Sequence, residues 1–169
     1  MKLRSITLLT SLALCAIVRA QVFVGTYGGL HYFVTEAGTY GDARSWAQQQ
    51  GADLVSIHSS DQNAWLSQTL ADYGRCWIGL TDRVTEGQWK WEDGTSLDYL
   101  NWGQNEPKSA LGTEDFAFIH ASDGGVWRAT GFDGAIEVPL RGVYTSPVPE
   151  PAVLAGLVAG LLALVRRRR

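Results

Sequence analysis

The segment 77–115 restricts the fold of this chain more than any other part of the sequence. It begins with the apolar run WIGL, which predicts a buried strand. Trp89 and Trp91 then alternate with polar residues up to an Asp-Gly pair, which predicts a half-buried strand that ends in a turn. The remainder is largely polar and carries a Glu-Pro pair at Glu106 and a Glu-Asp pair at Glu114. The segment therefore predicts short strands followed by a long loop that holds two carboxylate clusters.

Two helices are predicted before this segment. Thr39 followed three residues later by Asp42 is a capping-box-like start for a helix over about residues 40–50. A serine at position 59 or 60 can cap a second helix over about residues 61–71. Beyond the buried WIGL strand, further strands are predicted at four short segments: ADLVSI, GQWKWEDG, DFAFIH and RGVYT.

Both ends of the chain have the composition of addressing segments. Residues 1–20 combine a basic start with an apolar run and a small residue before Gln21, which is typical of a secretory signal. Residues 147–169 contain an apolar run, 152–165, that would span roughly 21 Å as a helix, less than the ~30 Å hydrocarbon core of a bilayer. Four arginines follow this run and should stay cytoplasmic, which places residues 21–146 on the far side of the membrane.

The C-terminal segment resembles the bacterial PEP-CTERM sorting signal. The motif Pro149-Glu150-Pro151 is followed by a short membrane segment and a basic tail, in the order that this family shows. The resemblance implies a Gram-negative bacterium in which an exosortase cuts near the motif. It also implies delivery across the inner membrane to the cell surface or extracellular matrix. A plain C-terminal membrane anchor shares this topology and is the alternative.

The formal charge of the central domain restricts the classes of partner that it can bind. Residues 21–146 contain 16 of the 17 acidic residues but seven of the 14 basic residues, which gives a formal charge of −9. A domain this acidic disfavours nucleic acid and anionic polymers as partners, and it suits cations or neutral ligands. Cys76 is the only cysteine in this domain, so an internal disulfide is excluded, and we expect a buried small apolar side chain there.

The stretch from WIGL to the Glu-Pro pair resembles the middle of a C-type lectin-like domain. That family shows, in the same order, a WIGL strand, a Glu-Gly-x-Trp-x-Trp-x-Asp-Gly stretch, Asn-Trp, Glu-Pro and Glu-Asp, and the match covers about residues 28–145. The resemblance implies an α+β fold, with two helices flanking small antiparallel sheets and a long loop that carries the ligand sites. Four family cysteines, which form two disulfides, are replaced here by Ala47, Phe116, Phe132 and Tyr144. We therefore expect packing to take over from cross-links.

The resemblance also implies a degenerate sugar-binding site. In the family, a calcium ion at this site takes ligands from the Glu-Pro loop, the later glutamate and a strand after a tryptophan. Glu106 and Glu114 match this pattern, whereas Lys108, Arg128 and Ala129 stand where three further ligands should be. A cationic side chain beside the two glutamates would neutralise them as an ion pair. We therefore expect this site to be closed to calcium.

A neighbouring auxiliary calcium site of the family is nearly complete. Asp82, Glu86 and Asp115 match its ligands, and Glu114 could add an oxygen. Calcium prefers six to eight oxygen ligands, mostly from carboxylates and carbonyls. One structural calcium ion is therefore a hypothesis for this chain, and a solvated acidic face without a metal is its alternative.

Together these patterns predict an exported, non-enzymatic protein that recognises a glycan or a surface protein. A structural protein of the surface or exopolysaccharide matrix, without a specific ligand, is the alternative. An enzyme is disfavoured because His31, His58 and His120 lack the spacing of a zinc or catalytic cluster, and the sequence contains no Gly-x-Ser-x-Gly motif.

Overall fold

A computed structural model describes residues 21–108, 114–130 and 139–147. In these ranges the α-helices are α1 (Tyr40–Gln49) and α2 (Ser60–Thr69), and 3₁₀ turns lie at Ala71–Tyr73 and Ala121–Asp123. The strands are β1 (Val22–Tyr27), β2 (Leu30–Gly38), β3 (Arg75–Thr81), β4 (Lys90–Trp91), β5 (Phe116–His120), β6 (Val126–Thr130) and β7 (Leu140–Pro147).

The strands form one mixed sheet with two helices packed against it. The order is β1-β2-β7-β3-β5-β6, and β4 pairs with β3 away from this path. The pairing of β3 with β7 is parallel, and the other strand pairs are antiparallel. The predicted α+β architecture is therefore confirmed, and the parallel β3–β7 pair joins the antiparallel parts into a single sheet.

Both helices begin where their capping residues predict. The Thr39 hydroxyl accepts a hydrogen bond from the Asp42 backbone N–H at 3.0 Å, and the Asp42 carboxylate accepts one from the Thr39 N–H at 3.1 Å. This reciprocal capping box satisfies backbone donors that an open helix end leaves without partners. The Ser59 hydroxyl caps α2 in the same way through Gln62 N–H at 3.1 Å.

Two of the predicted strands differ from the structure. The segment ADLVSI does not form a strand. It makes one isolated bridge, between Leu54 and Tyr144, and single backbone hydrogen bonds to β7 and β3 instead of a ladder. The segment GQWKWEDG contributes only the two residues of β4. The predictions at CWIGL, DFAFIH and RGVYT are confirmed as β3, β5 and β7, whereas β1, β2 and β6 were not predicted.

Two apolar clusters form the core, and three of the four replaced cysteine positions lie in the one next to α1. Ala47, Phe116 and Tyr144 are all buried in this cluster, which also contains Tyr40 and Trp77. The Phe116 ring stacks on Tyr40 with ring centroids 4.3 Å apart. Side-chain packing thus occupies three of these four positions; the fourth, Phe132, lies outside the described residues.

Cys76 is fully buried in the other cluster, on β3. Burial raises the pKa of its thiol to about 12, which keeps the sulfur protonated at neutral pH. The prediction of a buried side chain at this position is therefore confirmed.

The addressing segments 1–20 and 148–169, which include the Pro149-Glu150-Pro151 motif, lie outside the described residues. Among the residues that are described, no helix is long and apolar enough to cross a membrane. The membrane segment predicted at 152–165 therefore stays a prediction.

Candidate functional site

Three carboxylates meet at the end of β3 that leads into the long loop. Asp82 directly follows β3, Glu86 lies in the turn after it, and Asp115 directly precedes β5. One carboxylate oxygen from each residue lies within 4.8 Å of the other two. Residues far apart in the chain thus form one group, which we call the carboxylate group.

Backbone contacts fix the two ends of the carboxylate group. The Asp115 carbonyl accepts hydrogen bonds from the Thr81 hydroxyl at 2.6 Å and from the Asp82 N–H at 3.2 Å. The Gly87 N–H donates to Asp82 Oδ2 at 2.9 Å. These bonds hold the turn that carries Glu86 against the residue that leads into β5. Thr81 and Gly87 were not identified from the sequence, since neither supplies a charged ligand.

The electrostatics of the carboxylate group favour a cation. Asp82 is only 2% exposed, and its Oδ1 is buried without a hydrogen-bond partner in the described part of the chain. Burial and then the charge of Asp115 raise the pKa of Asp82. Loss of hydration and then the charges of Asp82 and Asp115 raise the pKa of Glu86. The ionised carboxylates therefore repel one another across a small gap.

The spacing of the carboxylate group matches what one calcium ion requires. Calcium binds oxygens at 2.3–2.6 Å, so two oxygens on the same ion are at most about 5 Å apart. The oxygens of Asp82, Glu86 and Asp115 satisfy this limit. The buried Asp82 Oδ1 is also the kind of orphaned acceptor that a bound ion would satisfy.

A second site lies around Glu106, where the sequence predicted an ion pair. The Glu106 side chain is 3% exposed, and its Oε1 lies 3.5 Å from Lys108 Nζ. Its Oε2 accepts a hydrogen bond from the Ala129 N–H at 3.3 Å. Both carboxylate oxygens of Glu106 therefore have a partner within the protein.

Glu114 lies with this second site and not with the carboxylate group. Burial and then the charge of Glu106 raise the pKa of Glu114, while Lys108 acts to lower it. Arg128, which the sequence suggested as a partner for these glutamates, instead contacts Asp123, with Nη2 and Oδ2 3.0 Å apart. Lys108 is thus the cation that the structure brings to Glu106.

The remaining acidic residues of the loop do not form one solvated acidic face. Glu92 pairs with Arg44 of α1 at 2.9 Å. His58 Nδ1 lies 2.9 Å from Asp98 Oδ1. Asp93 Oδ2 accepts a hydrogen bond from the Ser56 hydroxyl, and its Oδ1 accepts from the backbone N–H and the hydroxyl of Thr95. The pairing of Arg44 with Glu92 was not predicted, because Arg44 lies in α1 and nothing in the sequence links that helix to the loop.

Tryptophans under the long loop connect it to the sheet. Trp127 of β6 is fully buried, and its Nε1–H donates to Asn63 Oδ1 of α2 at 2.8 Å. Its backbone bonds to the loop on both sides, through Asn101 O at 2.7 Å and Gly103 N at 2.8 Å. Trp102 packs edge-on against Trp89 with centroids 4.7 Å apart. The loop that carries Glu106 is therefore held by core contacts.

Sequence comparison relates this fold and site to known proteins. A model of the family described as Lectin C-type domain matches residues 36–130. C-type lectin domain family 4 member F of Mus musculus is 39% identical over 84 residues, which are 47% of this chain and 15% of that protein. The C-type lectin mannose-binding isoform of Notechis scutatus scutatus is 30% identical over 117 residues, which are 62% of this chain and 70% of that protein.

Solved structures of C-type lectin domains have a fold similar to that of this chain. The carbohydrate-recognition domain of mouse scavenger receptor C-type lectin superposes with a TM-score of 0.65 at 25% identity, over 75% of this chain and 94% of that chain. The carbohydrate-recognition domain of cow CD23 superposes with a TM-score of 0.64 at 29% identity, over 73% of this chain and 92% of that chain. The chain spans about one seventh of the mouse family 4 member F protein, so the similarity concerns the domain alone. The chain belongs to the C-type lectin domain family.

Proposed function

We propose that this chain is an exported recognition protein that binds a glycan or a surface protein through its long-loop face, with one calcium ion held by the carboxylate group. Domains of this family are non-enzymatic binding domains. The observation that carries the proposal is the buried, unpartnered Oδ1 of Asp82 beside two further carboxylates. In water-poor surroundings such a group is costly unless a cation neutralises it.

Calcium at this position would support ligand binding by ordering the loop. It would neutralise the carboxylate group and tie the turn 82–87 to the residue before β5. The same turn displays Val84, which is 85% exposed. An ordered turn with an exposed apolar tip offers a contact for a ligand at lower entropic cost than a loose one.

Calcium is expected to stabilise the full-length chain. At a free concentration 100 times Kd, one ion bound only by the folded state adds about 2.7 kcal/mol, which corresponds to a rise in Tm on the order of 8 °C. Asp82→Asn should abolish this rise, because it removes one charge from the carboxylate group. Calorimetric titration and thermal melts in calcium and in chelator measure both effects.

Asp98→Asn is the matched control for this experiment. It removes an exposed carboxylate of the same loop that lies outside the carboxylate group. It should leave calcium binding unchanged. Absence of binding to the unmodified chain would refute the calcium part of the proposal, and equal losses in both variants would show a diffuse charge effect.

We further propose that the Lys108–Glu106 ion pair replaces calcium at the second site. The triple change Lys108→Asn, Arg128→Asn and Ala129→Asp supplies the oxygens that the family uses there. We expect it to bind a second calcium ion and to gain calcium-dependent binding to mannose-type glycans, measured by titration and on a glycan array. Lys90→Asn makes the same lysine-to-asparagine change elsewhere in the segment, and as the control it should gain neither. A triple variant without a second ion would contradict the simple replacement of metal by lysine.

Ligand binding itself separates recognition from a purely structural role. A cow CD23 domain of similar fold was crystallised in the presence of a GlcNAc2Man3 oligosaccharide, which makes glycans the first class to test. Saturable, competable binding on a glycan or protein array would support recognition. Absence of any such ligand would favour a structural protein of the surface or matrix.

Export and sorting rest on the sequence of the two ends. We propose that residues 1–20 direct export and that residues 147–169 act as a PEP-CTERM signal, with Pro149-Glu150-Pro151 as the site recognised by an exosortase. Intact-mass measurement of the surface protein from a host with and without exosortase tests this. An uncut C-terminus in both hosts would leave a plain membrane anchor.

A further inference from the structure

We propose that a cleft at the opposite end of the sheet binds an acidic sugar that carries a single carboxylate. The cleft has a volume of about 610 Å³, and the side chains that concern us are Asp72, Tyr73, Arg75, His120, Ser122 and Arg141. Pockets of roughly 300–1,000 Å³ suit small organic ligands, so the cleft can hold one or two pyranose rings.

The cleft is distant from the long-loop site. Arg75 is the first residue of β3, whereas Asp82 of the carboxylate group directly follows its last residue. Seven strand residues at about 3.3 Å each put roughly 23 Å between them. A ligand in the cleft would therefore be independent of calcium in the loop.

Strand pairing places two arginines and a histidine together. Arg75 of β3 is the register partner of His120 on β5, and Cys76 next to it is the partner of Arg141 on β7. Two of the seven basic residues of a domain with a formal charge of −9 thus line one cleft. The composition disfavoured anionic partners for the domain as a whole, and the structure identifies a local exception.

Arg141 is held in a fixed orientation. Its Nη1 donates to the Thr35 carbonyl at 2.7 Å, and its guanidinium lies over the Tyr73 ring, 5.8 Å from the centroid. Its distance to the Glu36 carboxylate is 4.0 Å, at the outer limit for an ion pair. The group is therefore preorganised, and its charge is only weakly compensated.

The guanidinium N–H groups of Arg75 are available to a ligand. Its guanidinium lies 5.9 Å from the centroid of the Phe118 ring. Within residues 21–108, 114–130 and 139–147 its side chain has neither a hydrogen bond nor a carboxylate within 4.0 Å. A guanidinium forms two parallel hydrogen bonds with a carboxylate, and such bidentate contacts are among the strongest in proteins. We assign Arg75 as the residue that binds the ligand carboxylate.

The other lining residues indicate a sugar carrying one charge. Tyr73 and Ser122 offer an aromatic surface and a hydroxyl, the usual partners of a pyranose ring and its hydroxyls. Asp72 can accept hydrogen bonds from sugar hydroxyls but repels a second carboxylate. The domain charge of −9 likewise repels polyanions. An oligosaccharide whose only charged group is one terminal uronate therefore fits best.

Calorimetry with the full-length chain tests this proposal using two disaccharides that differ only in the acidic group. Cellobiouronic acid carries a carboxylate where cellobiose carries a hydroxymethyl group. We expect the acid to bind at least tenfold more tightly, in calcium and in chelator alike. Arg75→Gln should weaken binding of the acid at least fivefold, and Asp72→Asn should strengthen it, because it removes a repelling charge.

Arg83→Gln is the matched control, since it makes the same change at the other end of β3. It should leave the affinity within twofold. Absence of binding by cellobiouronic acid, or an equal loss in Arg83→Gln, would overturn the proposal. Competition by acetate as strong as by the disaccharide would reduce the cleft to a simple anion site and overturn its assignment to a sugar. Loss of binding in chelator would assign the acid to the long-loop site.

Discussion

Trp127→Ala is expected to lower the free energy of unfolding by about 3–5 kcal/mol, as for other fully buried large aromatics. The Trp127 ring packs edge-on against Trp91 and Tyr99, with both centroid separations 5.6 Å, and against Trp102 at 6.0 Å. Truncation would also leave the buried Asn63 Oδ1 without its donor. Urea unfolding followed by far-UV circular dichroism measures the loss.

Trp127→Phe separates packing from hydrogen bonding in this prediction. Phenylalanine keeps an aromatic ring in place but cannot donate to Asn63, so a loss of about 1–3 kcal/mol is expected. If Trp127→Ala were no worse than Trp127→Phe, the tryptophan cluster would not be what connects the long loop to the sheet.

Gly79→Ala is expected to cost about 3 kcal/mol, because β3 passes against the backbone of the segment before α2. A Cβ at position 79 would lie 2.6 Å from the Leu54 carbonyl oxygen. Neither element can easily retreat: β3 is hydrogen-bonded to its neighbouring strands, and Gly79 N–H itself donates to the Val55 carbonyl at 2.9 Å. Thermal and urea unfolding of the variant give the value.

Gly103→Ala provides the control, as its nearest contact for an added Cβ is 3.4 Å, to the Trp127 carbonyl oxygen. It should change stability by less than about 1 kcal/mol. A near-neutral Gly79→Ala would mean that the segment at Leu54 can move away from β3, contrary to its tight packing in the structure.

The parts of the fold that local rules specify were predicted well, and those that depend on distant partners were not. Thr39 and Ser59 marked both helix starts, because capping involves residues within one turn. Strand β2 was not predicted because its position depends on a partner more than 100 residues away: His31 pairs with Ser146 of β7. Among the described strands, β1 pairs only with β2, through a hairpin that joins Tyr27 to Leu30, and this local signal was missed. The apolar segment at Leu54 looked like a strand because burial on all sides, without a ladder, produces the same composition.

For the candidate site, the resemblance predicted that Asp82, Glu86 and Asp115 belong together, and the structure adds their distances and the burial of Asp82. Asp82 and Glu86 are close in sequence, but nothing local brings Asp115 to them. Glu114 was expected to add to the same group, yet the charges that act on it come from Glu106 and Lys108. Neighbouring residues of an extended chain point in opposite directions, so two adjacent acids naturally serve two sites. The basic cleft could not be predicted, since its residues come from three strands and two short turns.

Because Ala47, Phe116 and Tyr144 are held by packing, maturation of this domain requires no oxidant. Its folding should proceed without disulfide-forming enzymes and reach the same state in a reducing cytosol, in an oxidising compartment, or in an organism that lives without oxygen. The only thiol in the domain is Cys76, which the core shields once the domain has folded. The fold of this domain should therefore not depend on the redox state of the compartment in which it forms.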